Sequence, residues 1–124
     1  MNTYFLIAAI LIFLMGLSHS IMGERFFLVR LFKREPLHHF GDAVFINRTT
    51  RIAWHLTTIA WWNAAAVLIV LSFRPLDHTE FLVGRIISNI FLLSGILSLV
   101  GSRGRHLSWV VFFVISFLSW IGTY

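Results

Sequence analysis

Four apolar stretches constrain this chain more than anything else in it: Tyr4 to Met22, Ile52 to Phe73, Phe81 to Val100 and His106 to Tyr124. None contains Asp or Glu, and Arg85 is the only Lys or Arg within them. Each is long enough, as a helix rising 1.5 Å per residue, to cross a hydrocarbon core of about 30 Å. In lipid a backbone must satisfy its own polar groups, which favours helices. The expected fold is all-α, an integral membrane four-helix bundle. It forms a single domain over residues 1–124, with spans at about 4–22, 52–73, 81–100 and 106–124.

Composition agrees with that reading. Hydrophobic residues make up 58% of the 124 and charged residues 12%, against about 45–50% and about 25% in soluble domains. Cysteine is absent. Disulfides, thiol redox chemistry and Cys-held zinc or iron–sulfur centres are therefore excluded. The net charge of +5 comes with no phosphate loop, RNA-binding signature or zinc-finger spacing, so no nucleic acid partner is expected. The first stretch lacks the basic leader and short core of a signal peptide and reads as a retained span.

The charge is sorted by side. The long connection from Glu24 to Arg51 holds Arg25, Arg30, Lys33, Arg34, Arg48 and Arg51, and the Gly101–Arg105 turn adds Arg103 and Arg105. Placing both on one face gathers eight of the ten cations there. Arg74 and Arg85 are left on the other face, offset by Asp77 and Glu80. The positive-inside rule then puts the long connection in the cytoplasm and both termini outside, in what is expected to be a bacterial inner (plasma) membrane. Within that connection, Phe27, Leu28, Leu31 and Phe32 share one side of a helix and Arg30, Lys33 and Arg34 another. This segment is either a short amphipathic basic helix lying on anionic lipid headgroups or the continuation of the first span.

Polar residues inside or beside the spans are the candidates for function. His19, His55 and His106 lie at similar depth near the cytoplasmic face on three different helices, with Glu24 and Asp42 on the same side. Arg51, His55, Thr58 and Trp62 form one helical stripe, either a buried seam or the wall of a small amphiphilic pocket. Asn63 lies near mid-span and needs a partner, either a neighbouring helix or a polar cavity. Gly84, Ser88, Gly95, Ser98 and Ser102 give the third helix a small-residue face suited to close helix packing and self-association.

Three functional readings follow. The first is an oligomeric channel or transporter with a His/Glu-lined cytoplasmic vestibule of His19, Glu24, His55 and His106, with Arg51, Trp62 and Asn63 along the pathway. The second is a membrane-embedded haem or divalent transition-metal protein, with His19, His55 and His106 as ligands. The third is an accessory subunit of a larger membrane complex. His38 and His39 are adjacent and would not share a helix face. There is no HExxH pattern, no nucleophile elbow and no carboxylate pair inside a span, so nothing marks the chain as an enzyme.

Overall fold

The computed structural model describes residues 1–33 and 43–124, and they are all-helical. Four helices follow in order: α1 (Thr3–Phe32), α2 (Ala43–Ser72), α3 (His78–Ser102) and α4 (Ser108–Ile121). The first three are long and apolar enough to cross a membrane. At 14 residues α4 is shorter than the expected 106–124 span.

The helix ends explain these limits. Asn2 caps α1, its Oδ1 accepting from the Phe5 N–H at 3.3 Å. Asp77 caps α3, accepting from the N–H groups of Thr79 and Glu80 at 2.7 and 3.1 Å. An Asp in this position satisfies donors that the first helical turn leaves free. At the other end of α3, Arg103 adopts a left-handed conformation (φ 51°), followed by Gly104 at φ 74°. Their N–H groups return to the carbonyls of Leu99 and Val100 and stop the helix. The chain needs the next residues to turn, so α4 starts only at Ser108.

Two expectations are corrected. The basic segment after Met22 is no separate interfacial helix but the end of α1. The helix widens into a π-helical turn over Gly23–Leu28 and returns to α over Val29–Phe32. In addition, α2 begins at Ala43, about two and a half turns before the expected apolar start at Ile52. Apolarity stops at the arginines, but residues 43–51 contain neither Gly nor Pro, and helix formation continues through them.

The helices pack as two tight pairs, α1 with α2 and α3 with α4, joined by α1 against α4; α2 and α3 touch only sparsely. Phe5, Ala8, Ala9 and Ile12 of α1 meet Ala65 and Leu68 of α2, Ile87 and Phe91 of α3, and Phe112 and Ile115 of α4 in one buried cluster. The small-residue face of α3 is consumed inside the chain, which corrects its expected role in self-association. Ser88 Oγ donates to the Ser116 carbonyl at 2.8 Å, Ser98 bonds Ser108 at 2.6 Å, and Gly84 and Gly95 sit against Phe5 and Phe113.

At the end that carries both termini, the Asn2 N–H donates to the Ser72 carbonyl and its Nδ2 to the Gly122 carbonyl, both at 2.6 Å. The Phe5 ring fills the space over Gly84 and Gly122. Arg74 Nε donates to the buried Glu80 carboxylate at 2.8 Å. The Arg85 guanidinium lies 3.4 Å from the Trp120 ring centre, with Phe81 and Tyr124 about it, a cation–π arrangement.

Candidate functional site

The other end, where the 33–43 connection leaves α1 and enters α2, holds most of the expected functional residues. On α1, Gly16, Ser20 and Glu24 are spaced by four. On α2, Arg51, His55, Thr58 and Trp62 follow at steps of four, three and four. Both series repeat about once per helical turn, so each lines one face. The two faces meet, which resolves the stripe on α2 as a seam between helices.

A continuous chain of polar contacts runs along this seam. Arg51 Nη2 lies 2.8 Å from Glu24 Oε1. His55 Nε2 lies 3.3 Å from Glu24 Oε2. His55 Nδ1 is 2.9 Å from Ser20 Oγ, and Ser20 Oγ is 2.9 Å from Thr58 Oγ1. Thr58 Oγ1 reaches the Gly16 carbonyl at 3.5 Å. The chain starts at half-exposed Arg51 and Glu24 and ends at Thr58, which is 2% exposed.

Donor and acceptor rules fix what this chain can do. An ionised Glu24 only accepts, so His55 donates to it from Nε2. With neutral His55, Nδ1 accepts from Ser20, and Ser20 in turn accepts from Thr58. With protonated His55, Nδ1 donates to Ser20, Ser20 donates to Thr58, and Thr58 donates to the Gly16 carbonyl. One proton on the imidazole therefore reverses every hydroxyl bond inward of it. Arg51 holds Glu24 in both states, and its guanidinium also lies 5.3 Å from the Phe32 ring centre.

Close backbone approach makes the seam possible. A side chain at Gly23 would overlap the Trp54 indole, and one at Gly16 would meet the indole of Trp62. Trp54 Nε1 donates to the His19 carbonyl at 3.0 Å, and Trp62 Nε1 donates to the Phe13 carbonyl at 3.2 Å. Two tryptophans thus pin α2 to α1 on either side of the polar chain. The π-helical turn begins at Gly23, where Trp54 presses on the helix, and carries Glu24. Such turns relax the regular backbone ladder and often accompany functional sites.

The remaining expected site residues are placed elsewhere. The His19 ring stacks flat on Trp54, with centroids 4.3 Å apart and planes at 2°, and meets Trp61 edge-on at 4.9 Å. His106 is exposed in the turn before α4. Asn63 is exposed on the outer side of α2, where its Nδ2 donates only to its own helix, at the Ile59 carbonyl. Among the described residues no three His, Asp or Glu side chains converge to hold a metal. The His19, His55 and His106 ligand set is therefore not assembled. A haem clamp fares no better, because both His55 ring nitrogens are engaged and the His19 ring is packed between tryptophans. His38, His39 and Asp42 lie outside the described residues. The link that sequence reasoning missed is Ser20, whose position four residues before Glu24 was the available signal.

No family model, no curated protein and no solved structure matches this chain. The reading of the site therefore rests on its own chemistry.

Proposed function

We propose that this chain is a small polytopic protein of a bacterial inner membrane, a four-helix bundle with both termini outside and the 33–43 connection in the cytoplasm. We further propose that it works as a proton-conducting subunit of an oligomeric channel or transporter. The polar seam is its cytoplasmic vestibule. His55 takes up and releases the proton, because its two ring nitrogens bridge Glu24 and Ser20 and each can donate or accept. Glu24 and Arg51 hold the ring, and Ser20 and Thr58 carry the proton inward. With Glu24 protonated and the neutral ring carrying its hydrogen on Nδ1, a proton passing from Glu24 to Nε2 is matched by one leaving Nδ1 for Ser20, whose own proton goes to Thr58 and that of Thr58 onward. The ring is left neutral with its hydrogen on Nε2 and exchanges tautomer before the next transfer.

The observation that carries this reading is the unbroken line of five side chains from exposed Arg51 to buried Thr58. The gathering of eight of the ten cations on the vestibule side supports the orientation. The line ends on the Gly16 carbonyl, so on this reading water or a neighbouring copy completes the path.

The test is proton entry into liposomes loaded with a pH-sensitive dye, driven by a potassium diffusion potential. Purified protein should admit protons faster than protein-free liposomes. His55→Ala and Ser20→Ala should each slow that entry at least about tenfold, in line with losing a proton-transfer group. Entry no faster than in protein-free liposomes overturns the proposal. Unchanged entry in the His55 variant removes that residue from the path.

A further inference from the structure

Asn63 lies about half a turn around α2 from Thr58, Ala65 and Ser72, which are buried toward α1 and the core. Its side chain therefore leaves the molecule on the far side. In depth it is central, about 18 Å of helix from Arg51 and about 16 Å from Arg74 at 1.5 Å per residue. Its neighbours on that face, Leu56, Ile59, Ala60, Ala66, Val67 and Val70, are all exposed. Only one amide hydrogen is used, in the bond to the Ile59 carbonyl. The other hydrogen and the carbonyl oxygen have no partner among the described residues. Asn89 repeats the situation on α3, exposed on the outer face with no hydrogen bond among the described residues.

An amide facing hydrocarbon with most of its hydrogen bonds unmade costs several kcal/mol. Two such residues at mid-span, on two helices that touch each other only sparsely, are hard to reconcile with a lipid surface. A carboxamide is self-complementary, with a donor and an acceptor side by side, so two of them facing each other satisfy both. Small Ala60 and Ala66 flank Asn63 and allow another helix to approach.

We infer that the outer faces of α2 and α3 carrying Asn63 and Asn89 are covered by a second copy of this chain, amide against amide. The inference rests on the membrane placement of the proposed function and locates the contact between copies. It moves self-association from the small-residue stripe of α3, which is already occupied by α4, to the polar centres of the outward faces.

The absence of cysteine makes the test direct. N63C and N89C are introduced singly and together into the full chain, and oxidised in native membranes and in purified micelles. V110C on exposed α4 is the control. Disulfide-linked dimers in N63C, in N89C or in the double variant, but not in V110C, support the inference. Asn63→Leu should weaken association about three- to thirtyfold, the loss expected for interhelical polar bonds in lipid. It should leave helix content unchanged, because Asn63 touches no other helix of its own chain. Absence of cross-links at both positions, or a monomer in micelles and membranes alike, overturns the inference. Resistance of the protein to alkaline extraction from membranes tests the membrane placement separately. A monomer that resists extraction defeats the contact between copies and leaves that placement standing.

Discussion

The two ends of the molecule solve the same problem by different means. At the end with the termini, several polar groups are held in single bonds and closed in, while Glu80 Oε2, Arg85 Nε and Ser119 Oγ are buried with no hydrogen-bond partner among the described residues. Asn2 bonds two backbone carbonyls, Glu80 is 5% exposed against Arg74, and Phe5 is fully buried. None of the carbonyl acceptors there can gain or lose a proton near neutral pH. At the loop end the matching runs through hydroxyls and an imidazole, each of which can donate or accept. One end is built to have a single arrangement, and the other has at least two of nearly the same shape. The contrast separates a structural polar cluster from one fit for proton handling, although both consist of ordinary hydrogen bonds.

Five predictions sharpen or break that contrast. The largest concerns packing at the terminal end. Phe5→Ala should lower the free energy of reversible unfolding in micelles by about 3 kcal/mol, since it empties a site lined by Gly84 and Gly122. The loss should be the same at pH 5 and pH 8, and a pH-dependent loss would erase the distinction between the ends. Next, Gly23→Ala should cost about 2 kcal/mol by forcing the Trp54 indole off α1, with a shift in tryptophan emission as a second readout. Asn2→Ala should cost about 1–2 kcal/mol through loss of a cap and of the bond to Gly122.

The smallest energetic effect is expected at the loop end. Arg51→Ala should change stability by no more than about 1 kcal/mol, because the pair with Glu24 is half exposed. In NMR spectra followed as the pH is changed, signals of Ser20, Thr58 and Gly16 should move together with those of the His55 ring. Those of Asn2 and Ser72 should stay fixed. Independent movement of Ser20 and His55 would show that the polar line is not one unit.

Much of this was legible in the residues. Runs free of carboxylates located the helices, because hydrocarbon excludes charge over a fixed length. The stripe of Arg51, His55, Thr58 and Trp62 was visible from spacing alone. Which histidines would meet was not, since depth follows from counting residues whereas rotation about each axis follows from packing. His19 was turned onto Trp54 and Trp61 by aromatic stacking, and His106 was left in a turn by the left-handed stop at Arg103. The α3 stripe was read correctly as a close-packing face but given to the wrong partner, because small residues do not say which helix approaches them. The continuation of α1 into its basic segment depended on a π-helical turn opposite Trp54, a tertiary effect with no local signature beyond Gly23.

The bond between Asn2 and Gly122 links positions 120 apart in the chain, and it sets an order of assembly. During synthesis α1 and α2 can pair through their tryptophans and the polar line as soon as both have emerged. Asn2 can bond Ser72 once α2 has emerged, but its Nδ2 and the Gly122 side of the Phe5 ring must wait for the last helix before their partners exist. The end with the polar line is thus assembled early and the end with the termini is completed last. A nascent chain stalled before α4 would present the polar line complete while the apolar cluster around Phe5 lacks Phe112 and Ile115 and stays open.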